Sequence, residues 1–403
     1  MKIINDPVHG FIKIPQGLLL DIIQHPLMQR LTRIKQLGMS SFVYPGAQHT
    51  RFQHSIGAFH LTSEAMLALS QKGIFIFDSE AEAVEMAILM HDIGHGPFSH
   101  VLENTLISGI SHEDISLRMM EQINSDLSGQ LTLALNIFRN EYHKKFLHQL
   151  ISSQLDMDRL DYLRRDSFFT GVQEGVVGCA RIIKMLNVVE DNLVIDEKGI
   201  YPIENYLTSR RSMYWQVYLH KTVVACEKIL INILRRAKYL VKNGENLFAP
   251  PALQYFLYND IDNQKFTEDE DVLKFYAKLD DNDIWSTVKV WMDSKDKILS
   301  MLSYNLINRK TFKVEVHDEE VDENYIHDLR LKLSEKYQIS YDETQYLYGL
   351  DTIKTNMYDI ENDNIKVYMK DNSIRDICEV SELLNVALLI RQKPKYYIIY
   401  QRL

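Results

Sequence analysis

Three histidines and one aspartate fall within residues 91–100, His91-Asp92-Ile93-Gly94-His95-Gly96-Pro97-Phe98-Ser99-His100. A neutral imidazole nitrogen and a carboxylate oxygen together suit a divalent cation of borderline or hard character. The apolar run at 86–90 reads as the end of a helix. The glycines after it let the backbone turn sharply, so His95 and His100 can face the same point as His91 and Asp92. A His-Asp pair alone carries little. His317-Asp318 and His327-Asp328 are such pairs, but no apolar helix leads into them and no Gly-His-Gly follows, so both are expected at the surface.

A cation needs further ligands from other parts of the chain. His54, in Arg51-Phe52-Gln53-His54-Ser55, stands at the start of an expected helix with Arg51 beside it. Residues 154–166 set charges in an otherwise apolar helical run, with Asp158, Tyr162 and Arg165 on one face. Buried charge is costly unless it is paired or binds a cation, so this segment reads as a site or as an ion-pair network. Further on, Arg210, Tyr214, Tyr218 and Lys221 share a face of one expected helix. That face reads as a nucleotide groove or as an amphipathic helix with aromatic core contacts.

Positioning these residues falls to helices. Apolar residues recur every three to four positions over 61–69, 81–90, 113–123, 146–164 and 207–241, which predicts a succession of helices. Gly10–Ile14 partly alternates and predicts a short strand. The character changes near residue 305: 311–316, 364–369 and 396–400 are β-branched or aromatic and predict strands, with a helix at 377–390. The expected fold is mainly α, with a helical core over 1–304, which includes a charged helical connection at 265–300, and a smaller C-terminal α+β lobe over 305–403. A chain of 403 residues is too long for one core.

The formal net charge of −10 argues against nucleic acid as a partner. Local basic clusters (Arg159, Arg164 and Arg165; Arg210, Arg211 and Lys221) suit a small polyanion or a solvated helix face. No run approaches the roughly 18 to 20 apolar residues of a membrane span. The opening residues do not read as a signal peptide, and three separated cysteines suggest neither disulfides nor a zinc ribbon, so a cytoplasmic setting is expected. His25, His60, His143 and His148 have no partner pattern. Met86, Met90, Met119 and Met120 read as core filling, and 396–400 as sheet core or a subunit contact.

His54, His91-Asp92 and Asp158 reproduce the H…HD…D pattern of the HD superfamily. More closely, the chain resembles the deoxynucleoside triphosphate triphosphohydrolases of that superfamily. The resemblance rests on Asn5-Asp6-Pro7-Val8-His9-Gly10, Arg33-Ile34-Lys35-Gln36-Leu37-Gly38, Arg51-Phe52-Gln53-His54-Ser55, the segment at 91–100, His112-Glu113, Asp158-Arg159-Leu160-Asp161-Tyr162 with Arg165-Asp166, and His220-Lys221. It runs in order over about residues 1–310 and only loosely beyond.

The resemblance implies an HD-type helical core and a divalent metal (Mn, Fe, Mg, Zn or Co) on His54, His91, Asp92 and Asp158. It implies cleavage at the α-phosphate to deoxynucleoside and tripolyphosphate. His100 would be a general acid or base oriented by Glu103, and His95 and His112 would contact phosphate or water. Arg51, Arg159 and Arg210 would hold phosphate, Gln36 and Asp166 the 3′-hydroxyl, and Leu37 and Tyr218 would crowd the 2′ position. Tyr162 would pack on the sugar, with Tyr214 near the base. Lys2, Asn5, Gln29 and Lys221 would contact an activating nucleotide, and the chain would assemble as a homo-oligomer, a dimer or tetramer.

The sequence also departs from the pattern. Arg159 stands where the family commonly has Lys, and Glu103 where it often has Asp. Tyr214 and Leu219 replace a His and a Gln near the base, and Gln24 and Thr32 replace an Asp and an Arg of the activator site. Two other readings keep some of these features: an HD-type nucleotidase or phosphodiesterase acting on another nucleotide, and a non-catalytic binder of nucleotide or single-stranded nucleic acid. The metal set beside His100 and Glu103 favours an enzyme.

Overall fold

The structure, a computed structural model, describes residues 1–403 except Asn104, Ser108, 354–363 and 383–393, and leaves out the side chains of His100 and Glu103. Thr50 opens the helix Arg51–Gln71: its hydroxyl accepts from the Gln53 backbone, while the Gln53 side chain accepts from the Thr50 N–H at 2.8 Å. Satisfying both end donors fixes where the helix begins, and so fixes Arg51 and His54 in its first turn. This helix packs against Asp78–Met90 and Met157–Thr170. From Met86 to Met90 every residue of the second helix is buried, as are Met119 and Met120, so these methionines fill the core as expected.

Two expected helices are in fact interrupted. The run at 146–164 divides into Lys145–Gln149 and Met157–Thr170. Asp156 causes the break, because its carboxylate accepts from the backbone N–H of Ser153 at 2.9 Å and of Arg159 at 2.7 Å. Such a side chain offers the backbone an alternative to continuing the helix and starts a new one. The run at 207–241 divides into Ile200–Met213, a π turn at Tyr214–Tyr218 and Lys221–Lys242, which His220 caps by accepting from Thr222 at 3.1 Å.

Among the described residues nine strands form three sheets. β1 (Lys2–Asp6) and β2 (Gly10–Ile14) make an antiparallel hairpin in which Asp6 faces Gly10. β3 (Leu186–Val189) and β4 (Asn192–Asp196) form a second hairpin. Later in the chain come β5 (Lys313–His317), β6 (Tyr348–Ile353), β7 (Lys366–Tyr368), β8 (Ile374–Asp376) and β9 (Lys395–Tyr400). β9 lies between β5 and β6, and Tyr397 to Tyr400 are buried, so this segment is sheet core. β4 pairs in parallel with β7, Ile195 against Val367, which joins the 186–196 hairpin to the C-terminal strands.

The expected strands near 311–316, 364–369 and 396–400 are present, while β1, β3, β4, β6 and β8 were not anticipated. The helix expected at 377–390 is present at Ile377–Val380, and 383–390 lie outside the described residues. The mainly α fold with a smaller strand-containing C-terminal region stands. Among the described residues no helix is long and apolar enough to cross a membrane. The three cysteines are free thiols.

Candidate metal centre

Three helix ends meet at one point: the start of Arg51–Gln71, the end of Asp78–Met90 and the start of Met157–Thr170. There the His54 and His91 Nε2 atoms stand 3.3 Å apart. Asp158 Oδ1 lies 3.0 Å from the first and 3.4 Å from the second. The other ring nitrogen of each histidine faces an acceptor: His91 Nδ1 the Ile88 carbonyl at 2.6 Å, and His54 Nδ1 the Asp161 carboxylate at 2.8 Å. Each neutral ring therefore carries its proton on Nδ1 and turns a lone pair inward from Nε2.

Three lone pairs converging in a buried site repel one another unless a cation or a proton lies among them. The titration of His54 reflects this. Burial favours its neutral form, yet the hydrogen bonds to Asp158 and Asp161 outweigh burial and lift it to about 10. Burial also opposes the ionisation of Asp158, but His91 and His54 beside it hold it well below the usual carboxylate range. The donor set fits a divalent cation. Asp92 faces the same nitrogens, its oxygens lying 3.4 Å from His91 Nε2 and 3.7 Å from His54 Nε2. It is shared, however, accepting from Arg51 Nη1 at 2.7 Å and lying 3.3 Å from His95 Nε2.

Around this point the expected site residues divide into groups. His95 is stacked on His112 at 4.0 Å, and its Nδ1 is hydrogen-bonded with Ser99 Oγ at 2.8 Å. Burial, with Arg51 next, pushes His95 down to about 3, so it is neutral near pH 7. His100 and Glu103 belong to the short helix Ser99–Glu103, and their side chains lie outside the description. Arg159 turns back onto Ser153 and Asp156, at the cap of its own helix. Arg210 donates to Gln154 Oε1 at 2.7 Å.

A run of ring contacts leads away from the metal cluster. Tyr162 is 6.4 Å from His54 and 6.2 Å from Tyr218, Tyr214 is 5.2 Å from Tyr218, and Arg210 lies 6.0 Å over Tyr214. Tyr218 donates to Asp166 at 2.8 Å; His49 holds the other oxygen of Asp166 at 2.7 Å, and its carbonyl accepts from the Gln36 N–H at 3.0 Å. Leu37 follows, half-buried against the core. Gln36 Oε1, Arg51 Nε and Arg210 Nε are buried without a hydrogen-bond partner among the described residues.

The single helical face expected for Arg210, Tyr214, Tyr218 and Lys221 needs correction. The π turn changes the spacing, and Lys221 begins the next helix, exposed. Lys2 and Asn5 on β1, Gln29 and Lys221 stand on three separate elements, and no hydrogen bond joins them among the described residues. Gln29 donates to the Ile23 carbonyl at 2.7 Å. His317 and His327 lie in partly or fully exposed positions, as expected of surface pairs.

Asp281 anchors the segment that carries Gln36 and Leu37, accepting from the Lys35 N–H at 3.0 Å, while its other oxygen is buried without a partner among the described residues. Burial pushes it up to about 6 from its ordinary 3.8. Because its folded pKa is raised, its contribution to stability is present below 3.8 and is lost as pH rises through about 6. Asp281→Asn keeps an acceptor for Lys35 and has no charge to bury. Urea unfolding is expected to show the variant gaining roughly 2 kcal/mol on the natural protein between about pH 4.5 and about pH 7.5. A constant difference would remove this assignment.

The HD domain family matches residues 51–166, and the HD-associated region matches 177–326. A solved phosphohydrolase from Bacteroides thetaiotaomicron is 60% identical, with a TM-score of 0.97 and 100% of each chain covered. The chain belongs to the HD-domain phosphohydrolase family. Another relative, the uncharacterised protein YwfO of Bacillus subtilis, is 36% identical over 77% of this chain and 71% of its own length. The deoxynucleoside triphosphate triphosphohydrolase SAMHD1 homolog of Dictyostelium discoideum is 30% identical over 74% of this chain, which spans 62% of that relative. HD domains bind divalent metals, and His54, His91 and Asp158 form the cluster able to hold one here.

Sequence reasoning gave no role to Asp161, His49, Gln154 or Asp156, although all four sit next to the HD-domain site residues. Asp161 follows Asp158 by three positions, a spacing that places it on a neighbouring part of the same helix surface. That signal was available.

Proposed function

We propose that this HD-domain phosphohydrolase cleaves deoxynucleoside triphosphates at the α-phosphate, releasing deoxynucleoside and tripolyphosphate. The observation that carries the reading is the run of side chains from His54 through Tyr162 to Tyr218 and Asp166. In this reading the His54 end of the run takes the metal-bound phosphate and the Tyr218–Asp166 end takes the sugar. Support also comes from the Dictyostelium relative, which is named for this reaction.

In this reading Arg51, Arg159 and Arg210 hold phosphate oxygens by charge-assisted hydrogen bonds. Arg51 and Arg210 each have a buried donor still to satisfy. Gln36 and Asp166 take the 3′-hydroxyl, Leu37 and the Tyr218 ring fill the space of a 2′-hydroxyl, and Tyr214 lies toward the base. His54, His91, Asp158 and Asp92 would hold a divalent cation, which when bound would supply Lewis-acid polarisation of a phosphoryl oxygen and a more acidic water. His100, oriented by Glu103, moves a proton at the scissile oxygen. Neutral His95, stacked on His112, contacts phosphate or the attacking water. Lys2, Asn5, Gln29 and Lys221 reach one activating nucleotide where two copies of a homo-oligomer meet, in a cytoplasmic setting.

The test is a product assay with Mn²⁺ or Mg²⁺, using the four dNTPs singly and mixed and the matching rNTPs. Deoxynucleoside plus tripolyphosphate is expected, and activity confined to mixtures would mark nucleotide activation. Release of orthophosphate alone would move the cut from the α- to the γ-phosphate, and no release from any mixture with metal bound would move the substrate to another phosphorylated compound. Tyr218→Ala is expected to admit ribonucleotides, seen as a fall in the dNTP/rNTP ratio of kcat/KM; an unchanged ratio would remove Tyr218 as the sugar gate.

A further inference from the structure

The motif Asp6-Pro7-Val8-His9-Gly10 has no part in the reading above, yet its side chains lie behind the metal cluster. It forms the turn between β1 and β2, where Gly10 takes a φ of 76°. Asp6 Oδ1 accepts from the backbone N–H of Val8 and of His9, both at 2.9 Å, which fixes the turn. The hairpin strands leave Ile3 and Phe11 exposed, while the His9 side chain is 1% exposed and meets Asp161 Oδ1 at 2.6 Å. An ionised carboxylate can only accept, so His9 Nε2 is the donor.

Asp161 uses its other oxygen for His54 Nδ1 at 2.8 Å. Arg165 donates to Asp161 from Nε at 2.9 Å and from Nη2 at 3.0 Å, and to Asp6 from Nη1 at 2.7 Å. The helix carrying His54 comes so close at Gly57 that an added Cβ would lie 2.0 Å from Asp161 Oδ1. One arginine and two carboxylates leave a surplus negative charge in a buried place. A cation on His54 would share its charge with that surplus.

We propose that Asp161, held by His9 and Arg165, is the positioning residue that fixes the orientation and Nδ1–H tautomer of His54, so that the N-terminal hairpin turn is a working part of the metal centre. Without the carboxylate, the His54 proton can move to Nε2 and close the coordinating position. Groups behind a metal-bound histidine set ring orientation and basicity in this way. The inference rests on the metal cluster and not on the identity of the substrate.

Mn²⁺ titration of the full chain, followed by the electron paramagnetic resonance signal of free Mn²⁺, tests it. Asp161→Asn is expected to weaken Mn²⁺ binding on the order of 10- to 100-fold. His9→Ala should weaken it by roughly 2- to 10-fold, the worth of one hydrogen bond. His9→Gln, whose amide can donate to the same oxygen, should restore most of it. A purely structural role would instead lower the unfolding midpoint of the metal-free chain and leave the Mn²⁺ affinity of the folded fraction unchanged. Natural affinity in folded His9→Ala, or no difference between Ala and Gln at this position, overturns the proposal even where Asp161→Asn does not fold. Because the readout is metal affinity, failure here is distinct from failure of the product assay.

Discussion

His91→Ala and Asp158→Ala are each expected to leave a folded chain that neither retains a divalent cation nor turns over nucleotide. His91 brings one of the two imidazole lone pairs of the cluster formed by the described residues, and Asp158 brings the carboxylate oxygen 3.0 Å from His54 and 3.4 Å from His91. Removing either leaves too few donors at one point to strip water from a cation. Loss of a cation that contributes several kcal/mol of transition-state stabilisation corresponds to a turnover deficit on the order of 10³-fold or more. Metal content after gel filtration, measured by elemental analysis beside circular dichroism, separates loss of metal from loss of fold. Metal retained by both folded variants would overturn the ligand assignment.

Gly57→Ala carries the largest expected effect on stability. In an ordinary helix interior this change gains roughly 0.5 to 1 kcal/mol, because alanine loses less conformational freedom on folding. Gly57 lies in Arg51–Gln71 where it faces Met157–Thr170, and a Cβ there would stand 2.0 Å from Asp161 Oδ1 and 2.2 Å from Arg165 Nη2. Neither atom can yield cheaply, since both belong to a buried ion pair. Overpacking that parts a buried pair is expected to cost about 4 kcal/mol, reversing the usual sign. A denaturation midpoint at or above that of the natural protein would mean that the two helices can move apart.

Much of the site was legible because its chemistry is local. His91-Asp92 ends an apolar helix, His54 follows a capping Thr50, and Asp158 sits among charges too dense for an apolar run. The two surface His-Asp pairs lacked that context. What stayed hidden depended on groups distant in sequence or on small choices of the backbone. Apolar period continues through 146–164, so it could not show that Asp156 would capture two backbone donors and restart the helix. The π turn at Tyr214–Tyr218 likewise keeps a helical composition while changing which side chains align. His9 and Asp161 are separated by most of the HD domain, and only the folded chain shows that one turn of a hairpin backs a metal ligand. The β4–β7 pairing is hidden for the same reason, since a strand's partner is not written beside it.

That parallel pairing also has a consequence for how the chain is made. As the polypeptide leaves the ribosome, β3 and β4 are complete long before Val367 exists to pair with Ile195. Until then β4 presents an open edge of unpaired N–H and C=O groups, the feature most prone to recruiting a strand from another chain. Closing so long a connection is a late and slow event in folding. The helices that build the metal centre can therefore assemble early, while the sheet beside them waits for the last part of the chain, and that interval is when newly made protein is most exposed to aggregation.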